Sequence, residues 1–328
     1  MITVLQSFPR PGPQTNPYLT QLVASLPDDV VTLNWSWRTA LLGRYDILHV
    51  HWPELLFRRE QRIRTYAHRV MYLLLMVRVA LTRIVIVRTV HNLSPHEEGG
   101  MFERMLLKCC DGQTALWIAL NSSTELPVGR PSTVIPIGHY RDIYRDVSLP
   151  RPIPGRLLYF GLVRPYKGVL ALISAFGGMD EPMLTLRILG RPNSEGLRAA
   201  IETACSQDPR TSAELRHVED EYLAREIGES ELVVLPYTRM HNSAAVLLAL
   251  SLDRPVLAPH TPTTAALAEE VGPGWLLTYR GELDAATLRD GLARARSGRG
   301  SVRPDLTARD WPGLGAQHRS AFLAARTG

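Results

Sequence analysis

The chain has 328 residues, enough for two domains of ordinary size, each with its own core. Hydrophobic residues make up 45% and charged residues 21%, the balance of a folded globular protein and not of a disordered or fibrous one. Its net charge of +5 is modest, and the arginines lack interleaved aromatic residues or a reader motif, which argues against nucleic acid as a partner.

The three cysteines, Cys109, Cys110 and Cys205, form no CxxC pattern, and two of them are adjacent. They make a poor disulfide framework and point to a reducing, cytoplasmic setting. The N-terminus reads as a strand and not as a leader peptide, because no basic region precedes its apolar run. From there, short apolar runs alternate with helix-length segments. Strands are expected at 2–5, 30–33, 47–50, 84–89, 116–120 and 133–135, then at 157–160, 184–189, 215–218, 232–235, 255–258 and 275–278. Several are apolar on both faces, as parallel strands covered by helices are, so the rhythm predicts α/β units in doubly wound sheets. Ligands of such sheets bind beyond the carboxyl ends of the strands, which makes polar residues just after a strand the candidates for function.

In chain order, the first candidates are His49 and His51, which alternate along a strand end and so share one side. No carboxylate or cysteine cluster completes a metal site around them. Arg58, Arg59, Arg62, Arg64 and Arg69 follow. Helical spacing puts Arg58, Arg62 and Arg69 near one face with Arg59 beside them. That face reads either as a solvated surface or as a basic patch for anionic lipid headgroups or a lipid-pyrophosphate acceptor. The apolar stretch 70–87 contains Arg78 and Arg83 and therefore splits into a helix ending near Leu81 and a buried strand, not a membrane span. His91 directly follows that strand. Glu54 and Glu97 are the best carboxylates nearby. Either could accept the proton of an acceptor hydroxyl if a group transfer inverts configuration, since inversion needs a base opposite the leaving group. If configuration is retained, they would position the acceptor instead. His139 and Tyr140 follow the last strand of the first half, either lining a cleft or serving the structure.

The run Leu149-Pro150-Arg151-Pro152-Ile153-Pro154-Gly155 cannot continue a helix and reads as the interdomain linker. It divides the chain into residues 1–149, residues 150–305 and a terminal helical segment, 306–328, opened by Asp310-Trp311-Pro312. Past the linker, Phe160-Gly161-Leu162-Val163-Arg164-Pro165-Tyr166-Lys167-Gly168 follows a strand. Arg164 and Lys167 bring two cations to the strand end, Gly161 and Gly168 permit close backbone approach, and a helix beginning near Gly168 supplies free N–H groups. Such a loop suits a departing diphosphate, although a surface turn with solvated bases has the same composition. Further on, a buried strand runs into Pro236-Tyr237-Thr238-Arg239-Met240-His241-Asn242-Ser243. There Asn242 or Ser243 could cap the next helix while its N-terminus faces a phosphate. Neither half contains a GxGxxG or Walker loop, so nicotinamide and P-loop chemistry lose support.

Together these two loops resemble the donor-binding domain of GT-B glycosyltransferases, the large bacterial family related to sucrose synthase and mannosyltransferases. The family's Gly-x-x-x-Pro-x-Lys-Gly stretch and its Pro-Tyr loop are both recognisable. In the first half, His49-Val50-His51-Trp52-Pro53-Glu54, Thr89-Val90-His91-Asn92 and Gly138-His139-Tyr140 look like a subgroup that makes exopolysaccharides and glycolipids. The resemblance implies an α/β GT-B fold of two Rossmann-like domains and transfer of a hexosyl group from a nucleoside-diphosphate sugar. GDP-mannose leads, with UDP-sugars open, and the acceptor is a glycan, glycolipid or other hydroxyl. It implies that Arg164 and Lys167, with the helix start at Asn242 and Ser243, neutralise the diphosphate without a metal or other cofactor. His91 would contact the sugar, with His51, Gly161, Tyr237, His139 and Tyr140 elsewhere in the cleft. A cytoplasmic enzyme, peripheral at the inner face of the membrane, is expected.

Several positions depart from the family pattern. Leu162 stands where an arginine is usual, so Arg164 supplies that cation. Met240 and Leu248 occupy the positions of a glutamate pair used for the donor's sugar and ribose, and Asp253-Arg254 replaces a glycine before Pro255-Val256. Two rivals therefore stand beside the transferase: a nucleotide-sugar epimerase, which needs no acceptor, and a catalytically silent sugar-nucleotide-binding protein.

Overall fold

The computed structural model describes residues 1–12, 15–58, 62–91, 100–238, 244–298 and 302–327. They form two compact units, Met1–Gly138 with Arg309–Gly328, and His139–Ala308. Unit 1 begins with β1 (Ile2–Gln6), α1 (Pro17–Ser25), β2 (Val30–Leu33), α2 (Trp37–Leu42), β3 (Ile47–Val50), α3 (Pro53–Phe57), α4 (Arg62–Leu81), β4 (Val85–Val90), α5 (Met101–Gln113), β5 (Thr114–Ala119) and β6 (Ser132–Val134). Unit 2 contains β7 (Arg156–Phe160), α6 (Val169–Gly177), β8 (Thr185–Leu189), α7 (Glu195–Ser206), β9 (Thr211–Glu214), α8 (Asp220–Glu229), β10 (Leu232–Val234), α9 (Ala244–Ser251), β11 (Val256–Pro259), α10 (Pro262–Val271), β12 (Leu276–Tyr279) and α11 (Ala285–Ser297). The chain then returns to unit 1 as α12 (Trp311–Thr327).

Each unit is built on a six-stranded parallel sheet, in the order β2-β1-β3-β4-β5-β6 and β12-β11-β10-β7-β8-β9. The strands are apolar on both sides because each sheet face is covered. In unit 1 the alternation is explicit. Val4, Ile47 and Val87 join Tyr18, Leu22, Trp311 and Phe322 on one face. Their neighbours Leu5, Leu48 and Ile86 join Phe57, Tyr72 and Leu75 on the other. Helix α12 belongs to the first of these layers and packs on α1, β4 and β5. It crosses α1 at Gly315, where a Cβ would lie 1.9 Å from the Ser25 carbonyl oxygen, so only glycine permits that approach.

Two expectations are corrected. The strand placed at 215–218 is Thr211–Glu214 instead. It pairs only with β8 at the sheet edge and is half solvated, so its sequence is polar. The apolar Leu215 and Val218 are buried beyond its end, before α8, and their hydrophobicity reports burial without strand pairing. Arg58 does not share a helix face with Arg62 and Arg69. It is the extended residue that ends α3, and its Nε donates to Glu103 Oε1 at 2.8 Å. Arg69 Nη2 approaches the other oxygen of the same buried carboxylate at 3.6 Å. Two of the five arginines thus turn toward an internal acid.

In unit 2, Asp253 adopts φ 56°, the left-handed region, just before Arg254-Pro255-Val256. Aspartate tolerates that region better than most residues, and its carboxylate receives Arg303 Nε at 2.8 Å and Arg141 Nη2 at 3.3 Å.

Candidate functional site

In a doubly wound sheet the crevice lies where the strand order reverses, beyond the carboxyl ends of the strands on either side. In unit 2 that point falls between β7 and β10, in unit 1 between β1 and β3. The sequence motifs sit at both.

In unit 2, β7 is followed by Gly161, whose φ of 110° is open to glycine and strained for other residues. The chain makes a short turn through Pro165–Lys167 and enters α6 at Gly168, with φ 70°. A Cβ on Gly168 would stand 2.4 Å from the Pro236 carbonyl oxygen, in the loop after β10. The two loops are tied further. Thr238 donates its N–H and its hydroxyl to the Tyr166 carbonyl oxygen at 2.9 and 3.1 Å. Lys167 Nζ lies 4.1 Å from the centroid of the buried Tyr237 ring. Lys167, Tyr237 and the glycines named from the sequence are therefore brought together, with Arg164 beside Lys167. Burial, helped by the Arg164 charge, pulls the Lys167 ammonium down to about 8. An open pocket of about 780 Å³ adjoins these loops and runs from Gly168, Pro236 and Thr238 to His260 and Arg280. Arg280 Nη2 donates to His260 Nε2 at 2.6 Å. Neither residue stood out in the sequence.

In unit 1 the candidate residues are histidines. Ser7, just after β1, donates its N–H to the His49 carbonyl oxygen at 2.9 Å and accepts from the His51 N–H through its hydroxyl at 3.0 Å. His49 Nε2 meets Thr89 Oγ1 at 2.8 Å, and His51 Nδ1 meets His91 Nε2 at 3.0 Å. Both pairs are 40 residues apart because β3 and β4 are parallel neighbours, so two side chains at one strand end meet two at the next. Trp52 stacks on His91 with centroids 4.1 Å apart and planes at 23°, and Tyr18 meets His91 edge-on at 5.2 Å. His318 of α12 stands 6.0 Å from His49. Burial pushes His91 down to about 3 and His318 to about 4, and holds His49 and His51 well below the ordinary histidine value. The cluster is neutral at physiological pH.

Glu54 lies in the first turn of α3, which Trp52 precedes, and it is half-buried there. Glu97, Asn242 and Ser243 lie outside the described residues. His139 and Tyr140 are buried, and the Tyr140 N–H donates to Ser251 Oγ at 2.9 Å. That contact is at the last residue of α9, the opposite end of the helix from the loop after β10, so Tyr140 does not join the Lys167 group. Burial raises its hydroxyl to about 12. Trp52 and Thr89 stood in the sequence motifs without a role of their own, and Tyr18 and His318 were not singled out. The repeated spacing of Thr89 and His91 against His49 and His51 is the signal that could have found Thr89. Among the described residues, no group of three or more His, Cys, Asp or Glu side chains is arranged to hold a metal ion.

No family model matches the chain. Among curated proteins it is 50% identical over 325 residues to a GDP-mannose:glycolipid 4-beta-D-mannosyltransferase of Xanthomonas campestris pv. campestris, covering 99% of this chain and 93% of that protein. Among solved structures it is similar to AviGT4, a glycosyltransferase involved in avilamycin A biosynthesis, at TM-score 0.62 and 12% identity over 100% of this chain and 99% of that one. It is also similar to sucrose-phosphate synthase of Thermosynechococcus elongatus, at TM-score 0.57 and 15% identity over 98% and 94%. At such identities the solved structures speak to fold alone, and they bear out the GT-B architecture implied by the motifs.

Proposed function

Because the chain belongs to the glycosyltransferase family of GDP-mannose:glycolipid 4-beta-D-mannosyltransferase, we propose that it moves a mannosyl group from GDP-mannose to a sugar hydroxyl of a lipid-linked glycan. Hexosyl transfer is shown by that kinship, which gives no support to the epimerase or to the silent binder. The observation that carries the choice of donor and acceptor is the 50% identity extending over 99% of the chain.

In this proposal Arg164 and Lys167 neutralise the diphosphate of the donor, and no metal is needed because those cations take its place. GDP-mannose holds its sugar in α linkage, so a β product requires inversion at C1. The bond from the acceptor oxygen to C1 forms as the bond from C1 to the phosphate oxygen breaks, and the acceptor proton passes to a base. Of the residues near the unit 1 switch point, Glu54 suits that role, and neutral His91 suits contact with the sugar. The test is transfer of radiolabelled mannose from GDP-mannose to a lipid-linked oligosaccharide, with UDP-glucose and UDP-glucuronate in parallel. Transfer from a UDP-sugar, with GDP-mannose inert, would sink the donor assignment.

A glycolipid acceptor also asks for contact with a bilayer, at the inner face of the membrane for a protein of a reducing compartment. The surface that fits best is not the arginine segment. On α4, Tyr66, Val70, Leu73, Leu74, Val77 and Leu81 are all exposed and recur at helical spacing, forming one apolar stripe. Met101, Phe102 and Met105, exposed on the neighbouring α5, extend it. No helix among the described residues is long and apolar enough to cross a membrane. The stripe would lie in the interface, with Arg64 and its neighbours toward anionic headgroups. Replacing both Leu74 and Val77 by Glu is expected to weaken binding to phosphatidylglycerol vesicles by at least about tenfold in co-sedimentation. Undiminished binding would remove α4 from the contact.

A further inference from the structure

The histidine pair at the end of β3 and β4 carries more than proximity. A hydrogen bond between two neutral imidazoles has one donor and one acceptor, so the bond from His51 Nδ1 to His91 Nε2 puts the proton on one of them. The other nitrogen of His51 decides which. His51 is 2% exposed, and among the described residues nothing forms a hydrogen bond with its Nε2. The rings of Phe8 and His49 lie 5.5 and 4.3 Å away, centroid to centroid. Were Nε2 protonated, a buried N–H would be left without an acceptor, which structures avoid more strictly than an unused lone pair. His318 shows the alternative within the same cluster. Its Nδ1 faces the Leu314 carbonyl oxygen at 2.8 Å and must therefore be the donor, while its enclosed Nε2 lacks a partner among the described residues and is a lone pair.

We propose that His51 is a positioning residue that carries its proton on Nδ1, donates it to His91 Nε2, and so fixes His91 as the Nδ1–H tautomer. His91 then carries its one ring proton on Nδ1 and has no basic nitrogen to spare for the acceptor's proton. Trp52, stacked on one face of the His91 ring, and Tyr18, meeting it edge-on, hold the plane in which that N–H points. The backbone bond from His51 to Ser7 anchors the other end of the pair. The catalytic side of this inference rests on His91 addressing the substrate, as proposed above. The tautomer does not.

Nitrogen-15 spectra of the histidine-labelled full chain distinguish protonated from unprotonated ring nitrogens directly, with His91 assigned by the signals lost in His91→Ala. The wild-type chain is expected to show His91 protonated at Nδ1. His51→Phe keeps the ring packing and removes the donor. It is expected to mix the His91 tautomers and lower kcat about tenfold, with donor KM within about twofold. His51→Asn, which returns an amide N–H near the Nδ1 position, is expected to restore both the tautomer and most of kcat. A wild-type His91 protonated at Nε2 overturns the assignment without recourse to any His51 variant. Full kcat in His51→Phe, while His91→Ala remains impaired, overturns the positioning role. Normal turnover in His91→Ala with the expected tautomer overturns the proposed function of His91 instead, so the two failures are told apart.

Discussion

Replacing Glu54 by Gln is expected to lower kcat for mannosyl transfer by about 10²- to 10³-fold, the usual consequence of losing a general base. In the proposed reaction this carboxylate addresses the acceptor and not the donor, so the donor's KM should stay within about threefold. The choice of Glu54 follows from elimination and place. Burial holds His91 down to about 3, far too weak a base to take a hydroxyl proton at neutral pH. Glu54 stands in the first turn of α3, two residues after Trp52, which stacks on His91, and the free N–H groups of a helix start favour a carboxylate there. Gln keeps the shape and the hydrogen-bonding reach while removing the basicity. A Glu54→Gln enzyme with kcat close to wild type would clear Glu54 of the role and leave Glu97 as the carboxylate to test.

Lys167→Ala is expected to lower kcat at pH 7 by at least about tenfold, equivalent to roughly 1.4 kcal/mol of lost stabilisation of the departing diphosphate. The same residue predicts a pH dependence. In the donor-free protein, burial and Arg164 hold the Lys167 ammonium at about 8. A diphosphate placed beside it favours the charged form and raises that value, so the complex binds more protons than its parts. The sign follows by linkage. Below about pH 8 Lys167 is already charged and donor affinity is at its full value. Above it, binding must take up a proton, and affinity falls as pH rises until Lys167 is neutral in the complex too. Calorimetric titration with GDP at pH 8.5 to 9, in buffers of different ionisation enthalpy, reads this proton uptake as an apparent heat that depends on the buffer. Lys167→Ala should abolish the dependence. A buffer-independent heat in the wild-type chain would mean that Lys167 does not meet the diphosphate.

Both expectations draw on residues visible in the sequence, because each lies in the first turn or loop beyond the carboxyl end of a strand. The alternation of apolar runs with helix-length segments placed eleven of twelve strands to within a residue or two, since covering both faces of a sheet leaves a local imprint on every strand. The exception, β9, lies at the edge of its sheet, where half-solvated Thr211–Glu214 carries no such imprint. Gly161 and Gly168 were legible for a similar reason. Their left-handed backbone and the approach of Gly168 to Pro236 demand glycine at fixed offsets from Lys167.

What only the tertiary structure decided concerns pairs of residues and the medium around them. Sequence spacing put Arg58 and Arg69 near one helix face, open to solvent or to lipid headgroups, but the chain leaves the helix at Arg58 and both side chains turn to the buried Glu103. The exposed stripe of α4 could not be told from a core-facing one, because helical periodicity records amphipathicity and is silent about what covers it. His51 and His91 were each marked by position, yet their shared hydrogen bond depends on the register between β3 and β4, and its direction on an enclosed nitrogen. Local pattern is written along one strand, whereas protonation is set by neighbours brought together from four separate stretches of chain: Tyr18, the segment around His51, His91 and His318.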